Sequence, residues 1–174
     1  MTAKMARVGD NLCIALCNKL MKRVHQNVRQ SSEMVFVDAS GGVDRHVCRV
    51  FLFMTHSAAG GLPVRLLITS SESEKVLTEG FRLLRDLFPN NAFFGRQEGP
   101  EIFTTDDAEA ERKALHNVFH DSTLLLCSFH ILQAMWRFLW DAKHKVEKEH
   151  RPHILKLVKR MLYAKTEEKN EPAL

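Results

Sequence analysis

Three short apolar runs, at 34–37, 47–55 and 63–69, follow one another with turn-forming glycines in each gap, a pattern that reads as strands. The first, Met34-Val35-Phe36-Val37, is β-prone and ends in Asp38, and Gly41-Gly42 supplies turn chemistry before the second. Ala59-Gly60-Gly61 separates the second from the third, whose centre, Leu66-Leu67-Ile68, reads as a buried strand with Pro63 at its start. Three strands meandering in sequence are expected, the first two as an antiparallel pair.

The pattern then changes period. Ser71 and Glu74 offer a capping box, and Val76, Leu77, Phe81, Leu84, Leu87 and Phe88 keep helical spacing until Pro89 stops it. Ile102-Phe103-Thr104-Thr105 is a fourth strand ending in Asp106, and 108–119 reads as a helix with Ala110, Leu115, Val118 and Phe119 inward. The run 123–127 has the character of a buried parallel strand; 131–146 is a long helix carrying Leu132, Met135, Trp136, Leu139 and Trp140, and 153–163 is a last helix. At the front, Leu12, Leu16, Leu20, Val24 and Val28 recur every four residues, which predicts one helix there.

The expected fold class is therefore α/β, an RNase H-like mixed five-stranded sheet of three antiparallel strands followed by two parallel βα units, with flanking helices. The division of the chain follows: 1–30 an N-terminal basic amphipathic helix, 31–146 the core, and 147–174 a basic C-terminal helix and polar tail.

A chain of 174 residues is the size of one domain, and 45% hydrophobic with 26% charged residues suits a folded globular protein. The apolar runs fall far short of the roughly 18 residues a membrane span needs, and the first residues lack a secretory cleavage site, so no membrane association and an intracellular location are expected. Four scattered cysteines suit reduced thiols, with Cys13 and Cys17 assigned to packing. The net charge of +4 is mild, but both ends are basic while the middle holds most of the acids. Taken separately, each basic end reads as a solvated helix face before it reads as a nucleic-acid contact.

Asp38 and Asp106 each lie just past an apolar strand. In the expected sheet the first and fourth strands are parallel neighbours, so both carboxylates emerge at one edge. Bare carboxylates held together repel, whereas a divalent cation between them favours the ionised form of both, and an all-oxygen site suits Mg²⁺ or Mn²⁺. Such a pair can serve phosphodiester cleavage or transfer. The alternative is that each Asp is a turn former or helix cap, with Asp107 the better candidate for the cap before Ala108. Cys127 and His130, spaced C-x-x-H at a strand-to-helix junction, make half of a zinc site or a structural pair. Trp136 and Trp140, one turn apart, read as core or interface aromatics.

These segments resemble the transposase domain of Mutator-like elements (MULE). The resemblance rests on FVDAS, on VFLFMTHSAAGGLPVRLLITS, on the helix EGFRLLRDLFP, on IFTTDDAEAERKAL and on LLLCSFHILQAMW, and covers roughly 34–145. It implies a DDE-type nuclease and strand-transfer fold with Asp38 and Asp106 as catalytic, metal-binding acids, Mg²⁺ or Mn²⁺ as cofactor, and Cys127 with His130 as a family motif. It further implies transposon-end DNA as partner, nuclear localisation, and DNA transposition and recombination as the process, and leaves room for a homo-oligomer. The third acid of that family is a Glu well beyond the Cys-x-x-His block. Glu147, Glu149, Glu167 and Glu168 stand in a lysine-rich setting, and none is given that role, so the chain is expected to be a fragment, a truncated copy or the product of an incomplete gene model. Catalysis stays open beside a decayed or domesticated module that binds DNA or protein without chemistry. An RNase H-like nuclease acting on RNA would need a further acid that the pattern lacks.

Overall fold

The computed structural model describes residues 1–41, 45 and 48–164, so Gly42 of the expected turn and the tail from Lys165, with Glu167 and Glu168, lie outside the described residues. The chain forms two compact units, Met1–Leu125 and Leu126–Leu174.

The first unit is built on a mixed sheet of seven strands rather than five. Its strands are β1 (Thr2–Val8), β2 (Asn11–Cys17), β3 (Met34–Gly41), β4 (Arg49–Ser57), β5 (Gly60–Thr69), β6 (Ile102–Thr105) and β7 (Thr123–Leu126), in the order β1-β2-β5-β4-β3-β6-β7. The meander β3-β4-β5 is antiparallel throughout, and β6 runs parallel to β3.

The two additional strands correct the expected N-terminal helix. Residues 2–17 fold as an antiparallel hairpin whose second strand pairs with β5, Cys13 opposite Thr69 through Leu16 opposite Leu66. Gly9 turns the hairpin at φ +61°, where a side chain would be strained. A spacing of four satisfies a strand as well as a helix, because every even step returns to the same face. The deciding signal is the alternation Cys13, Ala15, Cys17, all three with no exposure and all packed in the core. The packing role of both cysteines holds, but in a strand. Helix begins only at α1 (Lys19–Asn27), where the Asn18 side chain accepts from the Met21 N–H at 2.8 Å. A single turn, α2 (Gln30–Glu33), leads into β3.

Two longer helices follow: α3 (Glu74–Arg85), packed on the sheet, and α4 (Glu109–Val118), packed against α3. The expected capping box is absent. Ser71 Oγ instead accepts from the Ser73 N–H at 3.2 Å, and the helix starts at Glu74. Between sheet and helices lies an aromatic core in which Phe81 meets Phe51 and Phe53 edge to face, and Phe53 meets Phe103 in the same way. Gly80 lets α3 approach the sheet closely: a Cβ there would sit 2.8 Å from Cδ2 of the fully buried Leu67. In Gly80→Ala the gain in helix propensity of about 1 kcal/mol is outweighed by overpacking of about 1–3 kcal/mol, for a net loss of about 1 kcal/mol. The expected readout is a lower urea midpoint at unchanged m-value. A raised midpoint would show that Leu67 has room to turn.

One polar group is sealed into this core. His25 has no exposure; its Nδ1 accepts from the Phe93 N–H at 3.2 Å, and its ring lies against Phe88 and Phe93. Beside it Arg65, 1% exposed, donates to the carbonyls of Val64 and Leu87 and lies over the Phe88 ring. Burial, then Arg65, pushes the imidazole pKa down from 6.5 to about 2, so His25 is neutral in the fold.

The second unit is a helical hairpin of α5 (Ser128–Trp140) and α6 (Arg151–Leu162). The long helix expected over 131–146 ends at Trp140, where Asp141 accepts from the Lys143 N–H and starts a 3₁₀ turn, Ala142–His144. Leu139 is the buried residue of α5, while Trp136 and Trp140 stack on one another at 5.2 Å and remain largely exposed. Among the described residues no helix is long and apolar enough to cross a membrane.

Candidate metal centre

Strand direction gathers the acids. Because β3 and β5 are both antiparallel to β4, they point the same way, and β6 is parallel to β3; the C-terminal ends of all three strands therefore meet at one edge of the sheet. The segments that follow β5 and β6 begin there, carrying Glu72 and Asp106, and α3 and α4 start just beyond them. The positive ends of two helix dipoles thus belong to the same edge, which favours negative charge there.

Within β3, Val35 and Val37 face the core while Phe36, Asp38 and Ser40 are exposed, the alternation a strand demands. The parallel register pairs Met34 with Ile102, Val35 with Phe103 and Phe36 with Thr104. The paired residues end there and β6 ends at Thr105; two further residues in the same register would bring Asp38 opposite Asp106. Adjacent strands lie about 4.8 Å apart, a separation that one cation can bridge with carboxylates from both sides.

Asp106 also makes a turn. Its Oδ1 accepts from the Ala108 N–H at 2.9 Å, and the Thr105 hydroxyl donates to its carbonyl. The cap position of α4 falls to Ala108 and no side chain caps the helix, so the cap expected of Asp107 is not formed. The turn bond occupies one site on one oxygen, and an ionised carboxylate offers about four.

The sequence reading overlooked a third acid. Glu111, in the first turn of α4, is 2% exposed, and among the described residues its Oε1 has no hydrogen-bond partner. Burial raises its pKa from 4.5 to about 8, and the charges of Asp106, Asp38 and Glu72 push in the same direction in that order. Glu111 thus feels both expected site acids. Glu72 is itself answered by Arg49 at 3.0 Å. A signal for Glu111 existed: it lies three and four residues before the buried Ala114 and Leu115, on the inward stripe of α4 where Ala110 was expected.

These donors are all oxygen, which fits Mg²⁺ or Mn²⁺, and the orphaned Glu111 oxygen is the kind of group a cation would satisfy. Among the described residues, no three His, Cys, Asp or Glu side chains stand close enough to form a ready-made metal cage. The acids are linked only through the charges of Asp106, Asp38 and Glu72 that act on Glu111.

Cys127 and His130 belong to the second unit. Cys127 is the cap residue of α5 and is half-buried, and the His130 ring, one turn into the helix, lies 5.5 Å from that of Phe129. They stand at the strand-to-helix junction as expected. Of the downstream acids, Glu147 is exposed and pairs with His150 at 3.3 Å. No family model and no curated protein matches the chain.

Proposed function

We propose that this chain carries the front part of an RNase H-like, DDE-type transposase core of the Mutator-like kind, in which Asp38 and Asp106 hold a divalent cation. The single observation that supports the reading is the parallel register of β3 and β6, Met34 with Ile102 through Phe36 with Thr104, which if continued past the end of β6 would set Asp38 opposite Asp106. The order β5-β4-β3-β6-β7, three antiparallel strands followed by strands reached through helices, supports the same fold, with the N-terminal hairpin as an addition on the β5 edge.

A bound Mg²⁺ or Mn²⁺ would supply activation of a water or 3′-hydroxyl and stabilisation of the leaving oxygen in phosphodiester cleavage or transfer. The two aspartates fix the position of that charge on neighbouring strands, and the starts of α3 and α4 add partial positive charge where a phosphate would approach. Transposon-end DNA is the substrate this reading implies, with the nucleus as its place of action.

The test is metal-dependent thermal stability of the wild type and of the double variant Asp38→Ala, Asp106→Ala. At a cation concentration of a hundred times Kd the wild type gains about 2.7 kcal/mol, which for a chain of this size raises Tm by about 5–10 °C. The double variant gains nothing. Removing repelling acids can stabilise the metal-free protein, so the comparison is between increments, not between starting values. Equal increments, or none in either protein, would leave a fold without this chemistry. DNA binding that weakens steeply with salt and ignores Mg²⁺ would then mark a binding module.

A further inference from the structure

We propose that the turn end of the α5–α6 hairpin binds unpaired nucleotides of a single-stranded nucleic acid, stacking bases on Trp136 and Trp140 and holding phosphates with Arg137, Lys145 and Lys148. The inference goes beyond the metal site and does not depend on it, since every residue it uses belongs to the second unit.

The first argument is charge. Acidic and basic residues balance in Met1–Leu125, so the chain's net charge of +4 resides in the second unit. Two of the acids there are already answered, Asp141 by Lys143 at 3.2 Å and Glu147 by His150 at 3.3 Å. The exposed Arg137, Lys145, Lys148, Lys156, Lys159 and Arg160 meet no carboxylate within ion-pair distance among the described residues, which favours a polyanion as partner.

The second argument is a stack built in advance. Trp136 and Trp140, one turn apart on α5, lie ring on ring at 5.2 Å and 16°, and both stay open to solvent, 49% and 39% exposed. Arg151, at the start of α6, lies over Trp140 at 5.7 Å, its guanidinium fixed by the hydrogen bonds that Nε and Nη2 donate to the Val146 carbonyl, at 3.0 and 2.8 Å. Two indoles left in water forgo the burial that makes tryptophan useful in a core. A flat partner restores it, and every nucleobase has a flat face. A second copy of this chain would bring a hairpin of the same charge to the surface, and an acidic peptide would answer the cations without covering the rings. Duplex bases are already stacked on one another, so the indoles select unpaired ones.

The chain has no other tryptophan, so its intrinsic fluorescence reports this surface directly. The test is titration of the full chain, in EDTA, with oligo(dT) and with a duplex of the same length. Oligo(dT) is expected to quench the tryptophan emission and to bind with an affinity that falls steeply with salt. Trp136→Ala should weaken oligo(dT) by about 5- to 150-fold and leave duplex binding unchanged. Lys145→Glu with Lys148→Glu should weaken both ligands and flatten the salt dependence.

Absence of oligo(dT) binding, binding without quenching, or equal losses for oligo(dT) and duplex in Trp136→Ala overturns the proposal. So does quenching by protein concentration alone, which assigns the surface to a second copy, or by poly-glutamate as much as by oligo(dT), which assigns it to an acidic protein. If Trp136→Ala failed to fold, the wild-type titration would decide alone: as much quenching by the duplex as by oligo(dT), or none by either, removes the indoles from a single-strand site.

Discussion

Acidification from pH 6.5 towards pH 3 is expected to weaken the fold by about 1.4 kcal/mol per pH unit through His25 alone. Held neutral in the core by burial and then by Arg65, its folded pKa is about 2, against an ordinary 6.5. Between those values the unfolded chain binds a proton that the folded chain refuses, so stability falls as pH falls. The contribution is fully present above pH 6.5 and gone near pH 2, a span worth at most about 6 kcal/mol. Few single groups can do more.

Urea unfolding at pH 7, 5.5 and 4, compared between wild type and His25→Gln, isolates this group from the carboxylates, which titrate in both proteins. At pH 7 the variant is less stable by about 1–3 kcal/mol, because the Phe93 N–H loses its buried acceptor. Towards pH 4 the difference should shrink or reverse. A wild-type acid slope that persists unchanged in the variant would show that His25 is already protonated in the fold.

Glu111 acts in the opposite direction. Its folded pKa is raised to about 8 from 4.5, so between these values the folded chain keeps a proton that the unfolded chain gives up. Stability is fully present below pH 4.5 and declines as pH rises through 8, by at most about 5 kcal/mol. Glu111→Gln mimics the protonated acid permanently, and in EDTA at pH 8 it should be more stable than wild type by about 3–4 kcal/mol, with the alkaline slope removed. A less stable variant under those conditions would mean that the carboxylate has a favourable partner in the metal-free fold. Together the two groups place the stability maximum of the metal-free protein between about pH 4.5 and 6.5.

How far the sequence could be read follows from which physical signals are local. Strands β3 to β7 are bounded by turn residues and carry alternating or fully apolar runs, so each was legible within a few residues. The parallel partnership of β3 and β6 followed from element order alone. The N-terminal hairpin was not legible from Leu12, Leu16 and Leu20, whose spacing serves either period; only Gly9-Asp10 with the Cys13, Ala15, Cys17 alternation separates strand from helix. Glu111 escaped because a Glu among Glu109, Arg112 and Lys113 reads as solvated surface. Its burial is decided by the packing of α4 on α3, a contact between distant parts of the chain. The capping box failed for a similar reason: Ser71 met its local partner, the Ser73 N–H, before a helix could use it.

The N-terminal hairpin also decides what the sheet offers to other molecules. Without β1 and β2, the rim of the sheet would be β5, whose Leu66-Leu67-Ile68 segment would present unsatisfied amides and carbonyls along an apolar strand, a template for indiscriminate stacking with other chains. The hairpin moves the rim outward to β1, a mostly exposed strand whose Lys4 and Arg7 discourage a further strand from adding. The first seventeen residues are thus a fender for the sheet, and an expression boundary drawn at the start of the expected core at residue 31 would strip it off.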